Sequence, residues 1–246
     1  MTLLLVLLAS LAGGLASVGL AATVLTIRAG LLERALPRLV SFSTGSLLGA
    51  ALLGMIPHAA EALPVERVAI VLLAGLVAFF VLEKLLVWRH CHRHDCQVHA
   101  GPGPLLLLGD AFHNFVDGVV IAGAFLVSTP LGLATSLSTI AHEVPQEMGE
   151  FMVYLRAGYT RRRALALNAL TSLTTVVGAA LGYAFLAEMR EAVPYLLAFA
   201  AASFLYVALA DLVPAQRGRP SLGLTLLDLL LLAAGIGAVA LLRHGH

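Results

Sequence analysis

The chain has 246 residues, 60% of them hydrophobic and only 12% charged, with a mean hydropathy of +0.95 and a formal net charge of +1. A soluble domain carries about 25% charged residues, so this composition excludes a water-covered surface and leaves a polytopic membrane protein. At about 20 apolar residues per membrane helix, the length holds eight spans at about 31 residues each with their loops, and no soluble domain besides.

Apolar runs punctuated by charge, proline and glycine predict helices over residues 2–27, 38–62, 66–89, 104–127, 130–157, 163–187, 192–213 and 221–242, in a single all-α domain spanning 1–246. The first run, Met1 to Ile27, has no basic segment before it and is expected to remain as a membrane helix rather than be cleaved as a signal. Gly13, Gly14 and Gly19 in helix 1 and Gly45, Gly49 and Gly54 in helix 2 are small residues that let membrane helices approach closely.

The fifteen basic residues orient this array. Arg28, Arg34 and Arg38 fall between helices 1 and 2. Lys84, Arg89 and Arg93 fall between 3 and 4, Arg156, Arg161, Arg162 and Arg163 between 5 and 6, and Arg217 and Arg219 between 7 and 8. These twelve share one side, and only Arg67, Arg190 and Arg243 remain for the other. By the positive-inside rule the twelve-charge side is cytoplasmic, so both termini are expected outside.

No lysine or arginine occurs between Arg93 and Arg156, a stretch that holds helices 4 and 5 whole. Within it lie Asp110, His113, Asn114, Asp117, His142, Glu143, Gln146, Glu147 and Glu150. Ionisable groups at membrane depth cost at least about 2.5 kcal/mol each on insertion scales and mark ion or proton routes. Five carboxylates without a basic partner ask for a cation. Asp110, His113, Asn114 and Asp117 are spaced i, i+3, i+4, i+7 and share one helix face. On helix 5, His142 and Gln146 are i, i+4, while Glu143 and Glu147 make a neighbouring row, both leading to Glu150. Pro145 removes a backbone hydrogen bond and frees a carbonyl nearby, which a membrane tolerates where it faces protein or a wet cavity. Imidazole, carboxylate and amide together suit a borderline divalent cation that must also leave again. A structural zinc site would close four ligands around the metal, often with cysteine, and helices 4 and 5 contain none.

The segments His113-Asn114-Phe115-Val116-Asp117-Gly118 and His142-Glu143-Val144-Pro145-Gln146-Glu147-Met148-Gly149-Glu150 resemble the two signature motifs of the ZIP (Zrt-, Irt-like) divalent metal transporters. The stretch Gly49 to His58 resembles the end of that family's helix 2, and Phe204 to Asp211 resembles its helix 7. The resemblance implies the eight-helix ZIP fold with both termini extracytoplasmic, a metal site between helices 4 and 5, and transport of zinc and related cations towards the cytoplasm. It also implies a homodimer. Residue by residue, it assigns His113, Asp117, His142 and Gln146 to the primary metal site and Asn114 and Glu143, sharing Asp117, to a second. Glu147 belongs to the motif. Gln146 stands where the family variant has a histidine, and Gly54 stands where many relatives have one in helix 2.

With this orientation His58 and Glu61 lie at the outer end of helix 2 as an entrance. Asp110 and Glu150 lie in the inner half, with Asp211 near the inner end of helix 7, as an exit. That exit empties beside the loop of residues 90–103, whose His90, His92, His94 and His99, with Cys91 and Cys96, form a metal-holding composition. Its cytoplasmic placement argues against a Cys91–Cys96 disulfide. The expected protein is therefore an alternating-access carrier of zinc, iron, manganese, cobalt or cadmium in the plasma (inner) membrane. It needs no cofactor: the metal is its substrate, and its partners are the ion, the lipid bilayer and a second copy, with no nucleic acid. No phosphate-binding P-loop is present, which argues against direct ATP use. The enzyme alternative is an intramembrane metallohydrolase built on His142-Glu143, the opening of an H-E-x-x-H zinc motif whose second histidine is here Gln146. A pure ion or proton pathway is the third reading.

Overall fold

The computed structural model describes residues 2–24, 29–91, 103–216 and 222–244, and the described chain is helical throughout apart from short turns. Eight rods follow one another: α1 (Thr2–Val24), α2, α3 (Val65–Cys91), α4 (Gly103–Val127), α5 (Thr129–Arg156), α6 (Arg161–Glu188), α7 and α8 (Leu222–His244). Rod α2 runs from Ala29–Gly49 through a widened π turn at Ala50–Met55 into Ile56–Ala62. Rod α7 does the same, from Val193–Tyr206 through Val207–Leu212 into Val213–Ala215. In each case a proline, Pro57 or Pro214, follows the π turn within two residues. The pyrrolidine ring cannot donate and clashes with the carbonyl four residues back, and widening the preceding turn relieves that clash.

Rod α2 begins at Ala29 rather than near residue 38, so Arg34 lies on helical turns that precede the apolar span Leu36–Ala62, and Arg38 lies in the first turn of that span. Short connections are capped locally. The Ser128 hydroxyl accepts from Leu131 N at 3.2 Å to start α5, and Thr160 accepts from Arg163 N at 3.3 Å to start α6. Gly158 turns the chain between them at φ +84°, a left-handed backbone suited to glycine.

The rods sort into two groups. Rods α1, α4, α5 and α6 pack on one another, as do α2, α3, α7 and α8, and α5 touches both α2 and α8 across the seam. The apolar spans of α3 and α8 are only 11% buried, whereas that of α2 is 67% buried. On α1, Leu4, Leu8, Leu11 and Leu15 are exposed at i, i+4, i+7, i+11, an outward apolar face that only hydrocarbon can accommodate in quantity. Seven rods are long and apolar enough to cross a membrane by composition; the eighth, α5, is not. Its polar residues are buried within the protein instead, which is why it can occupy membrane depth.

Two close contacts hold the groups. Glycines 118 and 178 bring α4 and α6 together so tightly that a Cβ on either would lie 2.0 Å from a backbone carbonyl of the other rod, Thr175 O or Phe115 O. In the second group, a Cβ on Gly45 would lie 2.0 Å from Leu232 O on α8, and one on Gly235 2.3 Å from Phe42 O on α2. Of the glycines singled out in the sequence, Gly13, Gly14, Gly49 and Gly54 also face neighbouring rods, whereas nothing lies within 4 Å of Gly19.

Candidate metal centre

Helical spacing aligns His113 and Asp117 on α4 with His142 and Glu143 on α5, and their four donor atoms all lie within 4.8 Å of one another. Nε2 of His142 is 3.2 Å from Nε2 of His113 and 3.2 Å from Oδ2 of Asp117. Nε2 of His113 is 3.5 Å from Oε1 of Glu143 and 4.0 Å from Oδ2 of Asp117, and the His142–Glu143 separation is 3.8 Å. Tetrahedral zinc, with ligand bonds of about 2.0–2.2 Å, spaces neighbouring donors by about 3.4 Å. The four atoms therefore need only small adjustments to surround such an ion.

The protonation pattern points the same way. His142 Nδ1 lies 2.9 Å from the Ser138 carbonyl, which can only accept, so that nitrogen carries the proton and donates it. Nε2 faces the Asp117 carboxylate and the His113 ring, and in the singly protonated imidazole its lone pair is the one open to a metal. Oδ2 of Asp117 and both carboxylate oxygens of Glu143 have no hydrogen-bond partner among the described residues. Asp117, His142 and Glu143 are buried, while the His113 side chain is 24% exposed and forms the open side of the group. A backbone carbonyl holding the ligand's other nitrogen is the usual way a protein fixes a metal-binding imidazole.

The seam between the helix groups supports α5 at this point. Pro145 cannot donate to the carbonyl of Ala141, and the Ser43 hydroxyl of α2 donates to that oxygen instead. Ser138 donates to the Ser46 carbonyl at 2.9 Å. Phe204 of α7, itself buried, stands edge-on to the His142 ring at 5.8 Å between centroids. Ser43→Ala strands a buried carbonyl and is expected to destabilise the protein by about 1–3 kcal/mol. In a Pro145→Ala background, where the helix can satisfy that carbonyl itself, the same change costs less. A double-mutant cycle read from denaturant unfolding in detergent checks this, and additive effects would refute the pairing.

The other residues picked out by the sequence fall in three places. Asn114 and Gln146 do not turn their amide N–H groups towards the quartet: Asn114 donates to Asp110 Oδ1 at 2.9 Å and Gln146 to the same oxygen at 3.4 Å. Gln146 sits one helical turn beyond His142, so its side chain reaches the Asp110 level. Glu147 points at α6, where Ser172 donates to its Oε1 at 2.6 Å and Asn168 to its backbone carbonyl at 3.0 Å. Glu143, expected at a second site, stands with the two histidines. His58 and Glu61 lie on the last turn of α2, with His58 Nδ1 bonded to the Gly54 carbonyl at 2.8 Å and Glu61 exposed. Asp211 lies on the π turn of α7 and His90 near the end of α3, but their side chains, like His92, His94 and His99, fall outside the described residues.

Sequence reasoning missed the support from α2 and α6. Thr175 donates to Asn114 Oδ1 at 2.8 Å and Thr174 to the Ala111 carbonyl at 2.7 Å. Asn168, Thr171, Ser172 and Thr175 are all buried, and their i, i+3, i+4, i+7 spacing was the available signal.

Comparison with known proteins gives matching results. Residues 89–243 match the family model described as "ZIP Zinc transporter". The chain is 33% identical over 223 residues to "Zinc transporter ZIP13" of Pongo abelii, covering 84% of this chain and 66% of that protein. It is 35% identical over 152 residues to "Zinc transporter foi" of Drosophila melanogaster, covering 59% and 21%, and 44% identical over 112 residues to "Zinc transporter ZIP4" of Homo sapiens, covering 46% and 17%. The chain thus spans less than two thirds of the length of these relatives.

Proposed function

Because the chain belongs to the ZIP zinc transporter family, we propose that it carries a divalent metal cation, zinc foremost, across a membrane through the site between α4 and α5. The observation that carries this reading is the convergence of His113, Asp117, His142 and Glu143, two imidazoles and two carboxylates without a cationic partner among the described residues. Imidazole and carboxylate together hold zinc, iron, manganese, cobalt or cadmium, and the open edge at His113 lets the ion leave again. The metal is substrate, not a resident cofactor.

The charge asymmetry of the loops supports an orientation with both termini outside, and the family resemblance of the two motifs supports transport towards the cytoplasm. His58 and Glu61 then stand at the outer end of α2 as the entrance. Asp110, Glu150 and Asp211, followed by the loop with His90, His92, His94 and His99, line the exit. Alternating access exposes the quartet first to one side and then to the other, and the division of the rods into two groups meeting along α5 and α2 supplies a seam along which that exchange can occur. The plasma (inner) membrane and a homodimer complete the reading.

Neither the described residues nor the relatives support the hydrolase alternative. A zinc hydrolase needs its glutamate to stand off the metal as a general base, whereas Glu143 lies among the donors, 3.5 Å from His113. Competition uptake into proteoliposomes, with zinc against iron, manganese, cobalt and cadmium, tests the assignment. Gln146→His adds an imidazole one turn beyond His142 and is expected to shift preference towards zinc by about tenfold. An unchanged order of metals in that variant would show that Gln146 lies off the path.

A further inference from the structure

One turn beyond the histidines, α4 and α5 bring together a second polar group whose donors are all oxygens. Asp110 is 3% exposed and Glu150 9%. Oδ1 of Asp110 is occupied by Asn114 at 2.9 Å and Gln146 at 3.4 Å, which directs the carboxylate into the interface between the two rods. Its Oδ2, and Oε2 of Glu150, have no hydrogen-bond partner among the described residues. The Glu150 side chain lies within hydrogen-bonding reach of both Asp110 and Gln146, so the three side chains form one cluster. Two buried carboxyl groups in contact must share a proton or hold a cation between them, and a divalent cation can take the place of that proton. The Gln146 bond is long, and turning its amide over presents Oε1 to the same point.

We infer that Asp110, Glu150 and Gln146 form a second, oxygen-only station that receives the divalent cation after it leaves the histidine site. This rests on the transporter reading above. His142, Gln146 and Glu150 are spaced i, i+4, i+8 on α5, so successive members of this row are offset by about 6 Å along one face. Gln146 lies between them and can follow the ion from one to the other. Carboxylate and amide oxygens suit hard cations such as manganese, magnesium or calcium, and hold zinc less firmly than imidazole does. An ion stepping from the quartet to this station therefore moves from a tighter to a looser hold, the order that release requires.

The probe is Mn2+, read by electron paramagnetic resonance and equilibrium dialysis on the purified full chain in detergent. His113→Ala/His142→Ala removes the imidazoles and is expected to retain Mn2+ binding. Adding Asp110→Asn and Glu150→Gln, which keep side-chain shape, is expected to weaken that binding by about 100-fold. Asp110→Asn/Glu150→Gln alone keeps zinc binding at the quartet, which also shows that the protein has folded; if the pair fails to fold, Asp110→Asn alone is read the same way. Absence of Mn2+ binding in His113→Ala/His142→Ala, or binding that survives loss of both carboxylates, would overturn the second station. Zinc uptake by the wild type is a separate readout: its absence with Mn2+ binding intact would refute transport and leave the station standing.

Discussion

Replacing His113 or Asp117 with alanine is expected to reduce zinc uptake into proteoliposomes to the level of empty vesicles. Each residue supplies one donor to a group whose atoms stand 3.2–4.0 Å apart, and neither is replaced by a neighbour at that level: Asn114 Oδ1 accepts from Thr175, and Gln146 lies one turn further along beside Asp110. Losing a ligand is expected to weaken zinc binding by at least about 100-fold, since even outer-shell changes cost about 10–100-fold. Asp117→Ala has a second consequence, because it removes the carboxylate facing His142 Nε2 at 3.2 Å and leaves Glu143 as the one carboxylate of the quartet. Radioactive zinc uptake, measured beside zinc binding on the same monodisperse preparation, separates a lost site from a lost fold. Wild-type uptake in either variant would falsify the site assignment.

Gly178→Ala is expected to cost about 3 kcal/mol or more, at or above the upper end of ordinary overpacking. A Cβ there would lie 2.0 Å from the Phe115 carbonyl, and Phe115 lies between His113 and Asp117. A side chain could rotate aside; a helix carbonyl cannot, so α4 and α6 must separate and carry the metal ligands with them. Gly118→Ala meets the Thr175 carbonyl at the same 2.0 Å and should behave alike. Nothing lies within 4 Å of a Cβ on Gly149 or Gly237, and alanine there should be neutral or stabilising by up to about 1 kcal/mol through helix propensity. Thermal unfolding of the four purified variants measures the contrast, and a Gly178→Ala protein melting with the Gly149→Ala and Gly237→Ala proteins would exclude such close contact.

The membrane class, the helical architecture and the polar faces of helices 4 and 5 were all readable before any packing was known. So was Pro145 as the source of a freed carbonyl. Less was readable around it. That the carbonyl is Ala141's and its partner Ser43, 98 residues away, follows from which rods meet. Glu143 stands with the two histidines and Asp117, and Gln146, on the same face as His142 but one turn further along, is level with Asp110.

The sequence by itself determined what depends on sums and periods along one segment: hydropathy over about 20 residues decides a span, and 3.6-residue spacing decides which side chains share a face. It thereby placed His113 with Asp117, His142 with Gln146, and the cluster of carboxylates without basic partners. Only the tertiary structure decided which faces meet and at what level, because depth along a neighbouring rod is set by contacts between distant segments. Glycines 118 and 178 set α4 against α6, and Gly45 and Gly235 set α2 against α8. Those backbone approaches carry no periodic signature of their own, and neither does the packing of α4 on α5 that brings two imidazoles and two carboxylates to within 4.8 Å of one another.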